Sequence, residues 1–201
     1  MSPVGRQPVA PPPIDVDLRV EVLPLVGRGV AVDRTTASPI FVVGDHSGHL
    51  GVLLDSQREI SFTPAPGLLC ALLRAVTDEG NALARYGYPE QYWLQSIARY
   101  YDGLQWDHAA SRGRTRWAGA APDGDVDLVD RLYPRCQILH VIGDPGSGSR
   151  GRFGRSVRRR AQAAGRQMLA GRYLEVSYTT LRRDPEKTRQ SLLAFLGEPE
   201  T

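Results

Sequence analysis

A chain of 201 residues with 41% hydrophobic content has room for one domain with a real core and too little for two ordinary ones. Its net charge of +3 is a local excess, carried mainly by residues 150–172 and nearly all arginine, a side chain suited to bidentate contacts with phosphate or sulfate. No apolar run approaches membrane-spanning length, and residues 3–13 are too proline-rich for an apolar signal region, so a cytoplasmic protein without a membrane span is expected. Cys70 and Cys136, the two cysteines, both lie in apolar runs and read as buried thiols of a reducing compartment.

Residues 1–13 hold five prolines and read as a disordered or polyproline arm, with 14–201 as a single domain. Apolar residues alternate at Ile14, Val16, Leu18, Val20 and Val22, the pattern of an edge strand or hairpin within 14–32. Pro39-Ile-Phe-Val-Val-Gly44 then gives a β-branched and aromatic strand that turns on Gly44 and Gly48. Leucine-rich residues 49–56 follow as a short helix. Strand, glycine turn and helix in this order aim free backbone N–H groups at an anion, and the helix dipole favours negative charge there. A phosphate loop of the kinase type would need Lys and a hydroxyl after its last glycine, where His49 and Leu50 stand, so a P-loop kinase is disfavoured.

Leu68, Leu69, Leu72, Leu73 and Val76 share one helical face, which predicts a helix over 67–78. A second helix is expected from 90 to about 101, with Trp93, Leu94, Ile97, Tyr100 and Tyr101 as packing residues. Residues 115–118 read as a short strand and 123–132 as a helix ended by Pro134. Gln137–Ile142 is a second buried strand and runs into the glycine and serine turn of 143–149. Residues 155–169 form a basic helical pattern. A third strand follows at 172–176, and a last helix starts at Asp184-Pro185 and stops at Gly197. Strands alternating with helices imply a parallel sheet covered on both faces, which binds ligands beyond the carboxyl ends of its strands. Two glycine-rich turns at that edge suit a ligand with two phosphate-like groups.

The ordered segments resemble the nucleotide-dependent sulfotransferases of the bacterial branch, over residues 39–199. Pro39-Ile-Phe-Val-Val-Gly44 with Ser47-Gly48 is similar to the family's first strand and 5′-phosphosulfate loop, PIFIVG-x-PRSGTT, and Leu53-Leu-Asp-Ser56 to the LLDS after it. Arg116-Trp117 through Pro122 is similar to RWGEKTP. Leu132-Tyr-Pro-Arg-Cys-Gln-Ile-Leu-His-Val-Ile142-Gly-Asp144 resembles LFPDARFIHVIRD. Tyr173-Leu-Glu-Val-Ser-Tyr178, Asp184-Pro-Glu186 and Phe195-Leu-Gly-Glu-Pro199 resemble YLEVRYEDL, DPE and FLGEP.

The resemblance implies a three-layer α/β fold, a central parallel sheet flanked by helices, P-loop-like. It implies sulfuryl transfer from 3′-phosphoadenosine 5′-phosphosulfate to a hydroxyl or amine of a small-molecule or carbohydrate acceptor. Its cofactor-binding positions fall on Gly44, Asp45, His46, Ser47, Gly48, His49 and Leu50, and on Asp144 and Ser149 at the second turn. Arg150 and Arg152 adjoin that turn and are candidates to supply lost phosphate contacts.

The departures fall on the chemistry. His46 stands where the first loop carries arginine, Gly119 and Ala120 where the pattern has Glu and Lys, and Gly143 and Gly146 where it has two arginines. Each lost arginine removes a charge-assisted bond of about 1.5–3 kcal/mol. His49 is the candidate substitute base or sulfate donor, since imidazole works near neutral pH. The spacing of His46 and His49 lacks an evident third ligand beyond His108 or Asp107, and no metal is expected. His140, on a buried strand, reads as a core histidine. No nucleic-acid partner is expected, because only Phe153 interleaves the arginines. Two readings stay open: an enzyme of impaired activity, and a non-catalytic binding or interaction protein on the same scaffold.

Overall fold

The computed structural model describes residues 38–44, 46–64, 66–84, 87–122, 126–143 and 171–199. The expected proline arm, the hairpin within 14–32, the basic helix at 155–169, and the residues Asp45, Asp144, Ser149, Arg150 and Arg152 lie outside them.

Five strands form one parallel sheet: β1 Ile40–Val43, β2 Ile60–Thr63, β3 Arg116–Ala120, β4 Gln137–Ile142 and β5 Tyr173–Ser177, in the order β2-β3-β1-β4-β5. The helices are α1 Ser47–Asp55, α2 Gly67–Ala84, α3 Glu90–Ser111, α4 Val126–Leu132, α5 Tyr178–Arg183 and α6 Pro185–Leu196. β1 occupies the centre because all four of its side chains are apolar and it is covered on both faces. Its alternation divides the core. Phe41 and Val43 pack with Leu69 and Leu73 of α2, Leu94 and Tyr101 of α3 and Val129 of α4. Ile40 and Val42 pack with Leu50 and Leu54 of α1 and Leu192 and Leu196 of α6. Each such leucine contributes roughly 2 kcal/mol when fully buried. The outcome is the expected three layers of helix, sheet and helix.

Three expected strands stand where the sequence reading puts them, and β1, β4 and β5 run parallel in one sheet. The structure adds β2, whose four residues are too few to show a period of their own. It also adds α5, and it extends α3 ten residues past Tyr101, because Gln105, Trp106 and Ala109 continue its buried face. α6 begins and ends as its signals require. The Asp184 carboxylate accepts the Lys187 N–H at 3.0 Å, and Gly197 takes the left-handed conformation at φ 73°.

Arg116 is the buried cation of the amino edge. It donates to Ser38 O at 2.8 Å, Leu196 O at 3.0 Å and Glu198 Oε1 at 2.9 Å, and to the Gln137 side chain. This clamps the segment after α6 to the starts of β3 and β4. A cavity of ≈ 580 Å³ opens on that edge, lined by Arg116, Arg135, Arg172 and Glu198, at the opposite ends of the strands from the glycine turns.

Candidate functional site

Gly44 leaves β1 at φ 109°, a conformation that L side chains rarely adopt. A Cβ there would lie 2.2 Å from the carbonyl oxygen of Val141 on β4, so no other residue fits. Val43 pairs with His140, and Gly143 follows Ile142, so both glycines stand at the carboxyl edge of the sheet. The turn then closes on itself: the Ser47 N–H donates to Gly44 O at 3.1 Å and the His49 N–H to His46 O at 3.0 Å. α1 starts at Ser47 with no side-chain cap and no acidic residue in its first turn. A Cβ on Gly48 would meet nothing within 4 Å. An uncapped amino end facing open space is the local electrostatic condition for an anion.

The side chains nominated from the sequence separate at this point. Leu50 is fully buried in the core, Ser47 is half-buried, and His49 is exposed on the first turn of α1. His46 lies flat on the ring of Tyr178, with centroids 3.7 Å apart and an interplanar angle of 13°. His49 meets the same tyrosine edge-on at 5.4 Å and His46 at 6.1 Å. Arg182, one turn further along α5, holds its guanidinium carbon 5.9 Å from the Tyr178 centroid. Ser177 pairs with Ile142, so Tyr178 stands level with Gly143 at the carboxyl edge of the sheet.

Sequence reasoning missed Tyr178 and Arg182. The available signal was a tyrosine and an arginine pair directly after the strand neighbouring β4. His140 behaves as the expected core histidine: it is fully buried, and its Nδ1 lies 2.6 Å from the Tyr173 hydroxyl.

Gly119 and Ala120, where the resemblance places Glu and Lys, are both buried, opposite Phe41 and Val42 of β1. Gly119 faces the α2–α3 layer. A Cβ there would lie 3.1 Å from the Tyr101 hydroxyl oxygen and 3.7 Å from the Trp117 ring. Tyr101 is 1% exposed, its hydroxyl has no hydrogen-bond partner among the described residues, and burial pushes its pKa up to about 12. The space a longer side chain would use is therefore taken by an aromatic ring. Among the described residues no group of three His, Cys, Asp or Glu is placed to hold a metal ion, and no helix is long and apolar enough to cross a membrane.

No family model and no curated protein matches the sequence. Solved structures do. The chain is similar to the sulfotransferase domain from the Synechococcus PCC 7002 olefin synthase, at 22% identity and a TM-score of 0.54, over 82% of this chain and 75% of that one. It is similar to the sulfotransferase domain from the curacin biosynthetic pathway, at 14% identity and a TM-score of 0.56 over the same shares. A third likeness is to a sulfotransferase from Alicyclobacillus acidocaldarius, at 15% identity and a TM-score of 0.50, over 81% of each chain.

Proposed function

We propose that this chain, a protein of the sulfotransferase fold, binds 3′-phosphoadenosine 5′-phosphosulfate at the carboxyl edge of its sheet and transfers the sulfuryl group slowly to a hydroxyl or amine acceptor. The observation that carries the reading is the β1–α1 turn. Gly44 has no steric alternative there, and the turn delivers an uncapped helix terminus beside Gly143. A backbone held this tightly is what an oxyanion site needs, because its donors are in place before the anion arrives.

In the reaction the bond from sulfur to the bridging phosphate oxygen breaks, a bond from sulfur to the acceptor oxygen or nitrogen forms, and the acceptor's proton leaves. His49, exposed beside the turn, is the group assigned to take that proton. The slow rate follows from Gly119, which puts no carboxylate at the position where the resemblance implies one. A small molecule or carbohydrate is the acceptor class.

The Tyr101 ring against Gly119 favours a second reading, a binding protein that holds the nucleotide without turning it over. One pair of measurements separates them: calorimetric titration of adenosine 3′,5′-bisphosphate, and transfer of labelled sulfuryl to a panel of phenols, amines and sugars. Binding with slow transfer supports the first reading. Binding with no transfer supports the second, and no binding overturns both.

A further inference from the structure

We propose that the cavity at the amino edge of the sheet binds a small organic oxyanion, a phosphate ester or a carboxylate, held by Arg135 and Arg172 beside the fixed cation of Arg116. The inference stands on the fold alone and does not depend on what the carboxyl edge binds.

The cavity measures ≈ 580 Å³, within the range of about 300–1,000 Å³ that small-molecule sites occupy. Three arginines from separate parts of the chain line it: Arg116 at the start of β3, Arg135 in the connection from α4 to β4, and Arg172 just before β5. Strands that run parallel begin at one edge, and that is what gathers them. Arg116 is 7% exposed and is spent almost completely on Ser38, Leu196, Glu198 and Gln137. Arg172 pairs with Asp130 Oδ1 at 2.9 Å and donates to Cys136 O at 3.2 Å, both through Nη1. Its Nε and Nη2 hydrogens make no bond among the described residues. Arg135 is exposed and makes no hydrogen bond or ion pair among them.

The unspent hydrogen-bonding capacity of the two outer arginines is therefore all donor. Glu198 answers the charge of Arg116 and Asp130 that of Arg172, so Arg135 is the cation left for a ligand to answer. A guanidinium presents its donors as a planar fork that matches two oxygens of a phosphate or carboxylate. Arg172, anchored through Nη1, offers a second set of donors that is already oriented. A neutral ligand would gain little from such a wall, and a cation would be repelled by it. The cavity is larger than a bare ion requires, which leaves room for the organic part of the ligand.

The test uses glycerol 3-phosphate and succinate as probes, titrated by calorimetry at constant ionic strength. At least one is expected to bind in a single site, and which one does so tells the phosphate-ester class from the carboxylate class. The Nε–Hε signals of Arg135 and Arg172 are expected to move on binding in nitrogen-15 NMR spectra. R135A should weaken the probe about tenfold or more, the loss of one charge-assisted hydrogen bond, and R135E should abolish binding. R99A removes the same charge from an exposed position on α3 outside the cavity, and should change nothing.

The NMR signals of the unmodified protein keep the test independent of whether any variant folds. If neither probe binds, or a probe binds without moving the Arg135 and Arg172 signals, the proposal is overturned. It is equally overturned if R99A weakens binding as much as R135A, since general charge would then explain the attraction. Adenosine 3′,5′-bisphosphate separates this site from the one proposed above. If that nucleotide loses affinity in R135E as the probe does, the amino-edge site stands and the carboxyl-edge reading falls. If the probe binds as described and the nucleotide binds nowhere, the carboxyl-edge reading alone falls.

Discussion

The carboxylate of Asp55 holds the Arg112 guanidinium through two hydrogen bonds, from Nη1 at 2.6 Å to Oδ1 and from Nη2 at 2.7 Å to Oδ2. Oδ1 also accepts the Phe62 N–H at 2.9 Å. One side chain thus ties the end of α1 to the end of α3 and to β2. It belongs to the Leu-Leu-Asp-Ser segment and lies away from the glycine turns, so its work is structural. The guanidinium hydrogen bonds hold its carboxyl below the usual carboxylate range, against the opposing effect of burial.

That relationship sets an acid limit. A carboxyl with a folded pKa below its unfolded value binds fewer protons in the native state, so its contribution is complete above the unfolded pKa, about 4. It is lost as pH falls from there through the folded value. Urea midpoints measured between about pH 3 and pH 6 should decline more steeply for the unmodified protein than for D55N. Parallel declines would remove Asp55 from the account of acid sensitivity.

Gly51 makes a second test, because α1 packs on β2 there with no room for a side chain. A Cβ would lie 2.0–2.4 Å from three ring atoms of Phe62, whose ring is itself buried. G51A is expected to cost about 2–3 kcal/mol, the upper range for overpacking a closed core. Pairing it with F62L, which removes the offending ring, should recover at least about 1 kcal/mol of the summed cost in a double-mutant cycle. Simple additivity would show that the helix shifts as a unit and that Phe62 is not the obstacle.

Restoring the missing carboxylate should fail. The register places Gly119 opposite Phe41, so a glutamate would enter the α2–α3 layer beside Tyr101. G119E is expected to cost roughly 3 kcal/mol or more, as an unpaired charge buried in apolar surroundings does. Transfer of labelled sulfuryl should not rise above the rate of the unmodified protein in whatever fraction folds. A stable G119E protein with raised turnover would mean that α3 yields and the edge opens.

How far the sequence could be read is visible at individual residues. The strands at 40–43 and 137–142 were legible because a run buried on both faces is mostly apolar, and Gly44 and Gly143 fell at one edge because parallel strands end together. β2 was not, since Ile-Ser-Phe-Thr is too short to display a repeat before Pro64. The pairing of His46 with Tyr178 joins residues far apart in the chain, and nothing local announces a contact of that separation. Arg116 could be found as part of a motif, but its role depended on Ser38, Gln137, Leu196 and Glu198 meeting at the amino edge, which only the fold brings together. Tyr101 read correctly as a packing residue; that its ring closes off position 119 was invisible until the register of β1 and β3 was known.

The contrast between Gly44 and Gly48 has a consequence for how such a protein can change over time. Position 44 is shut, because any side chain would strike the neighbouring strand. Position 48 is open, and His49 beside it faces solvent. Mutation can therefore strip ionic groups from this loop, or return them, without disturbing the main chain beneath. Loss of chemistry at such a place is reversible in a way that loss of scaffold is not, and a lineage can drift far in activity while its architecture stays still.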